Sequence, residues 1–132
     1  MKYLKNGISK NQAVKDILTK KGFWGEEIPK SSPYDLLVND CVKINVRAGY
    51  SILDKTGEYY KFVLKNSVVT CDIYILLELD SDNNIEQVLV IPSKFLKGKH
   101  RFLIRKGESK YNRFIDRFDY ISSLAKYLEN VT

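Results

Sequence analysis

The first periodic stretch of the chain is helical. Ala13, Val14, Ile17 and Leu18 recur at the spacing of one helix face and predict a helix from Ser9 to Lys21. Ser9 with Gln12 three residues on makes a capping-box signal, and Gly22 sits where a C-terminal glycine belongs. Phe23, Trp24 and Ile28 predict a short extended stretch ended by Pro29, with a loop over Lys30-Ser31-Ser32-Pro33. The pattern then becomes that of strands. Tyr34–Val38 is the first, and the polar pair Asn39-Asp40 predicts a hairpin into Cys41–Ala48. A loop holding Gly49 is expected to run through Asp54 and Gly57. Further strands are predicted at Glu58–Leu64, Cys71–Leu79, Ile85–Ile91 and Arg101–Arg105. Cys71–Leu79 is mostly apolar, as in a strand buried on both faces. Asp80–Asn84 is a turn by composition. Phe114, Ile115, Phe118, Ile121, Ala125 and Leu128 then follow the 3.6-residue period, predicting a long helix from Lys110 to Glu129 with Ser109 as its cap. Helix, five or six strands, then helix makes an α/β or α+β domain around one central sheet.

Length and composition narrow this picture. The 132 residues suit a single domain over 1–132, and 44% hydrophobic residues supply a core. No apolar run is long enough to span a bilayer. Met1-Lys2-Tyr3-Leu4-Lys5-Asn6 is not followed by an apolar signal segment, so the expected compartment is the cytoplasm. Cys41 and Cys71 do not make a disulfide framework or a zinc site; both are read as buried thiols in strands. A single histidine leaves little for zinc or Ser-His-Asp chemistry.

Charge changes the picture more. Eight of the 22 Lys/Arg, but only two of the 16 Asp/Glu, lie between Lys97 and Arg117. They are Lys97, Lys99, Arg101, Arg105, Lys106, Lys110, Arg113 and Arg117. The whole net charge of +6 therefore sits in that segment, while the remainder is neutral. A localised basic patch is expected to contact a polyanion. The start of the last predicted helix, near Lys106, Lys110 and Arg113, is a further candidate for phosphate contact.

The candidate chemistry lies in Cys41–Ala48. Val42, Ile44, Val46 and Ala48 point to one face of that strand, and Lys43, Asn45 and Arg47 to the other. A hairpin with the preceding strand brings Asp35 near the same polar row. One carboxylate, one amide and one guanidinium then converge on one patch of sheet.

The order of helix, Tyr34-Asp35-Leu36-Leu37-Val38, Asn39-Asp40, Val42-Lys43-Ile44-Asn45-Val46-Arg47-Ala48, Cys71-Asp72-Ile73-Tyr74 and Val90-Ile91-Pro92-Ser93 resembles the PD-(D/E)XK nuclease superfamily. It is most similar to its Holliday-junction-resolvase-like and restriction-endonuclease-like members. The resemblance covers roughly Ser9 to Leu96. It implies an α/β fold, a three-layer restriction-endonuclease-like core with a mixed central β-sheet flanked by helices. It also implies a DNA-binding, Mg²⁺-dependent (or Mn²⁺-dependent) endonuclease acting on duplex or branched DNA, often as a homodimer. In that family an Asp opens one strand, and a Glu or Gln and a Lys stand two apart on the next, so that both reach one metal site. The cation polarises the phosphodiester and the lysine stabilises developing charge.

Carried over, Asp35 matches the aspartate, Asn45 stands at the Glu/Gln position and Arg47 at the Lys position. Asp35 and Asn45 are then the metal ligands, and Asp35, Asn45 and Arg47 the catalytic set. An Asn oxygen is a weaker, neutral ligand, and Arg cannot give up its proton. The first helix offers Asn11 and Gln12 where some members carry an acid, and Asp16 is its only carboxylate. The motif thus looks degenerate, a DNA-binding member without cleavage. In another reading the site is rebuilt around Glu58, Glu26 or Glu27. In a third the fold serves as a non-catalytic protein- or RNA-interaction module of viral or mobile-element type. Asp72 is expected to be structural and His100 a surface imidazole.

Overall fold

A computed structural model describes residues 8–64 and 70–131. The expectation for the first six residues lies outside them. Helix α1 spans Lys10–Lys20, and Ser9 caps it by accepting a hydrogen bond from the Gln12 N–H at 3.2 Å. Seven strands follow: β1 Gly25–Glu27, β2 Leu36–Val38, β3 Val42–Asp54, β4 Gly57–Val63, β5 Ile73–Leu79, β6 Ile85–Pro92 and β7 Arg101–Arg105. One 3-10 turn, Ser93–Leu96, lies between β6 and β7. A second, Lys110–Phe114, precedes helix α2 at Asp119–Val131.

The strands form one mixed sheet. β3 and β5 run parallel, and every other pairing is antiparallel. The Asn39-Asp40 turn joins β2 to β3 as expected, with both residues at positive φ. Alternation along the strands sorts the core into two layers. Val42, Ile44, Val46, Ile73, Ile75, Leu77 and Val90 pack beneath α1 (Val14, Leu18) and α2 (Ile121, Ala125). On the other face Tyr60, Phe62, Tyr74, Leu76, Leu89 and Ile104 are covered by Leu96, Tyr111 and Phe114 of the two 3-10 turns. The result is a three-layer α/β domain with a mixed sheet between two helical layers.

Two expectations fail for physical reasons. Gly49 is not in a loop: β3 continues to Asp54. Gly49 is flat against the Phe62 ring, where an added Cβ would lie 2.4 Å from the nearest ring carbon. The glycine admits a large neighbour in mid-strand and marks no turn. Nor is Lys110–Glu129 one helix. Phe114 belongs to the core under the 3-10 turns, whereas Phe118 belongs to the core under the helices. Between them the chain crosses the edge of β6. Ile115 bridges Leu89, the Asp116 N–H donates to the Val88 oxygen at 2.9 Å, and Asp116 has φ 53°. The helical period in the sequence joins two segments that bury on opposite faces. No α-helical N-terminus therefore exists at Lys110 to hold a phosphate.

Candidate nucleic-acid-binding site

The site originates in a gap in the sheet. β5 occupies one edge of β3 from Ile44 to Tyr50. β2 and β4 must share the other edge, β2 as far as Ile44 and β4 from Tyr50 onward. The main chain between them lacks a strand partner on that side, so other groups must satisfy it. The Val46 N–H donates to Asp35 Oδ2 at 2.8 Å. The Val46 carbonyl accepts from Arg47 Nη1 at 2.8 Å and Lys10 Nζ at 3.0 Å. Arg47 Nη1 also pairs with Asp35 Oδ2 at 3.0 Å, and Lys10 Nζ stands 4.0 Å from the same oxygen. The Arg47 Nε is buried and makes no hydrogen bond among the described residues.

Above this gap is a cleft of about 320 Å³, whose walls include Lys10, Lys30, Asp35, Asn45, Arg47 and Tyr74. The structure thus brings Asp35, Asn45 and Arg47 into one cleft. Asn45 is buried, and its Nδ2 donates to Thr70 Oγ1 at 3.2 Å. Below it burial pushes the Cys71 thiol up to about 12 and raises the Tyr74 hydroxyl, so both stay protonated near neutral pH. Cys71 is buried just before β5, and Cys41 is half-buried in the turn before β3; both thiols are free.

Sequence reasoning missed Lys10 and Lys30. Lys30 lies in a loop and carries no spacing signal. Lys10 does leave a trace: a lysine in the first turn of a helix opposes the helix dipole, and this first turn has no acid. Asn11 accepts from Lys10 at 3.3 Å; Asp16 accepts from Gln12 and lines a different cavity with Ile85. The alternative carboxylates lie elsewhere. Glu26 and Glu27 are on exposed β1, and Glu58 is at the far end of β4. Asp72 is structural, accepting from the Lys43 N–H at 2.9 Å. His100 is exposed.

The donor set does not suit the divalent cation that the resemblance implies. Such ions take several charged or carbonyl oxygens. The cleft offers one carboxylate, whose Oδ2 already accepts from Val46 and Arg47, and one amide, among three cations. Among the described residues no group of three or more His, Cys, Asp or Glu converges to hold a metal. Three cations against one carboxylate suit an anion.

The basic segment is not one patch. Lys106 pairs with Glu58 at 3.2 Å and Glu86 at 3.4 Å. Arg117 forms a fork with Asp119, both contacts at 2.9 Å, and lies over the Tyr120 ring. Alternation turns Arg101 and Arg105 outward on the face opposite Phe102 and Ile104. Lys97 is exposed after the first 3-10 turn. Lys99, Lys110 and Arg113 instead line a second cavity of about 330 Å³ with Phe95, Tyr111 and Phe114. Leu64 and Tyr74 of the cleft, and Tyr111 and Phe114 of this cavity, belong to the same apolar cluster. Both cavities are thus lined by residues of the same apolar layer. The Leu64 N–H donates to the His100 carbonyl at 2.8 Å, tying the cleft wall to the start of the basic segment.

This α/β architecture is shared with a solved structure. A bacterial homing endonuclease, I-Ssp6803I, superposes with a TM-score of 0.71 over 93% of each chain at 12% identity. At that identity the likeness is one of fold. No family model and no curated protein matches the sequence. No helix among the described residues is long and apolar enough to cross a membrane.

Proposed function

We propose that this protein binds DNA as a PD-(D/E)XK nuclease-like domain whose catalytic centre no longer supports metal-dependent cleavage. One observation carries the reading. Two cation-lined cavities are built on the same apolar layer of the domain, one of them at the position of the Asp35, Asn45 and Arg47 motif. Their cations exceed their carboxylates, and phosphates are the commonest anions that such pairs of sites meet on a polymer. The nuclease-type fold supports the same partner. Asp35 is held by Arg47 and by the strand edge of β3, and serves the fold. Arg47, Lys10 and Lys30 attract the phosphodiester backbone.

The test is binding and cleavage of linear and branched DNA with Mg²⁺ or Mn²⁺ added. Wild type is expected to bind at low salt and to leave the strands intact. The double change Asn45→Glu plus Arg47→Lys, which restores the family's residue types, is expected to gain metal affinity. Robust wild-type cleavage abolished by Asp35→Ala overturns the degenerate reading. Absence of DNA binding at low salt overturns the DNA reading and favours a protein- or RNA-interaction module.

A further inference from the structure

The cavity over the second 3-10 turn is built differently from the cleft. The cleft walls are cations and polar groups, whereas this cavity alternates cations with aromatic rings. Phe95 is 41% exposed although it is apolar. Its ring lies between two cavities, the one with Lys99, Lys110 and Arg113 and an apolar one of about 600 Å³ bounded by Ile73, Pro92 and Leu124. The Arg113 guanidinium carbon stands 4.7 Å from the Phe95 centroid and 4.7 Å from that of Phe114. Lys94 and Lys110 stand 5.3 Å from the Phe95 and Tyr111 centroids, respectively. Phe95 and Phe114 lie 5.3 Å apart and tilted.

An unkinked duplex offers a phenyl ring no base face to stack on, because its bases are stacked inside, and wedging a ring between base pairs costs unstacking. An unpaired base does offer one: it lays its face on an aromatic ring or a guanidinium plane while the flanking phosphates meet cations. At about 330 Å³ the cavity is at the small end of ligand sites, the scale of one nucleotide. From the exposed Phe95, the Arg113 guanidinium over its ring and the adjoining Lys99 and Lys110, we infer that this cavity holds an unpaired nucleotide of single-stranded DNA. The preferred substrate is then duplex with a single-stranded end or branch. This inference rests on the DNA-binding reading and names its substrate class.

The test uses a labelled blunt duplex and the same duplex carrying a short oligothymidine overhang on either strand, with affinity read by fluorescence anisotropy. Wild type is expected to bind an overhang about tenfold more tightly than the blunt end, the effect of one stacked base. Phe95→Leu is expected to abolish that preference while leaving blunt-duplex affinity within about twofold, since the phosphate cations are untouched. Phe95→Tyr restores an aromatic face and is expected to keep the preference. Arg113→Lys retains charge without a plane and is expected to lose part of it. Thermal melting of each variant checks the fold. Equal wild-type affinity for blunt and overhanging DNA, or a preference that survives Phe95→Leu, overturns the inference and leaves DNA binding standing. Absence of binding to either probe brings down the DNA reading and the inference with it.

Discussion

The two ends of the polar row on β3 carry opposite charge balances. At one end Asp35 faces Lys10, Lys30 and Arg47. At the other, Glu58, Glu78 and Glu86 surround a single Lys106. Both lie on the same face of the sheet, separated by Phe62 packed on Gly49. The carboxylates of the acidic end are held by internal hydrogen bonds and by Lys106. Glu58 accepts from Ser51 at 2.9 Å and pairs with Lys106, and Tyr60 donates to Glu86. Glu86 reaches this cluster because the β5–β6 register slips there, Glu78 facing Gln87 and Leu79 facing Ile85. Glu78, only 3% exposed, is pushed up to about 7 by burial and by Glu86, against the bond from Gln87 Nε2. At the cationic end Asp35 pairs with Arg47 and stands near Lys10, so one carboxylate meets three cations, the balance on which the proposed anion site rests. Similar numbers of charged side chains thus make a carboxylate-rich structural cluster at one end and a cation-rich cleft at the other, the proposed anion site.

The largest expected effect tests the cationic end. Six cations line the two cavities: Lys10, Lys30 and Arg47 in one, Lys99, Lys110 and Arg113 in the other. If all six meet phosphates, DNA affinity falls roughly a thousandfold between about 50 and about 200 mM salt. Titration by anisotropy at several salt concentrations measures the slope. A flat dependence breaks the contrast, because the cationic end would then take no more phosphate than the acidic one.

The next effect tests the acidic end. Glu78 ionises near 4.5 in an unfolded chain, but holds its proton to about 7 when folded. The folded state therefore binds more protons through that window. Its contribution to stability is complete below about pH 4.5, declines as pH rises, and levels off above about 7. The decline is on the order of 3 kcal/mol. Glu78→Gln keeps an oxygen for Gln87 and is expected to flatten this part of the stability profile, as read by urea unfolding across that range. An unchanged slope in the variant would place the titration elsewhere.

Asp35→Ala comes third. It leaves the Val46 N–H without an acceptor and Arg47 without its carboxylate, a loss of about 2 kcal/mol in unfolding free energy. Asp35→Asn keeps an acceptor oxygen and is expected to lose less. A stability unchanged by either substitution would mean that the carboxylate serves chemistry and not the strand edge.

The motif was legible because a strand has period two: Asn45 and Arg47 share a face wherever β3 lies, and the Asn39-Asp40 turn brings Asp35 beside them. The cations around them were not. Lys10 and Lys30 enter the cleft only because β2 stops and β4 starts on the same edge of β3, a consequence of pairings distant in sequence. The pattern at Gly49 misled because a missing side chain signals both a turn and a close packing partner. The helical period from Phe114 to Leu128 misled because periodicity does not record on which side of the sheet a segment lands. Counting charges by segment had the same defect. Lys106 and Arg117 are as basic in sequence as Lys99, and only the fold shows that carboxylates face them.

That last distinction gives the smallest and sharpest effect. Lys99 and Lys106 are seven positions apart in one basic segment, and each is one positive charge. Lys99 lines the aromatic cavity, whereas Lys106 sits between Glu58 and Glu86, which hold its ammonium charged and occupied. A lysine that meets a phosphate releases about one counterion and steepens the salt dependence by about one logarithmic unit per tenfold salt. Lys99→Ala is therefore expected to lower the salt slope of DNA binding by about one, and Lys106→Ala to leave it unchanged. Equal slopes for the two variants would show that the phosphates read net charge along the segment, and that the division of its cations between cavity and carboxylates has no bearing on binding.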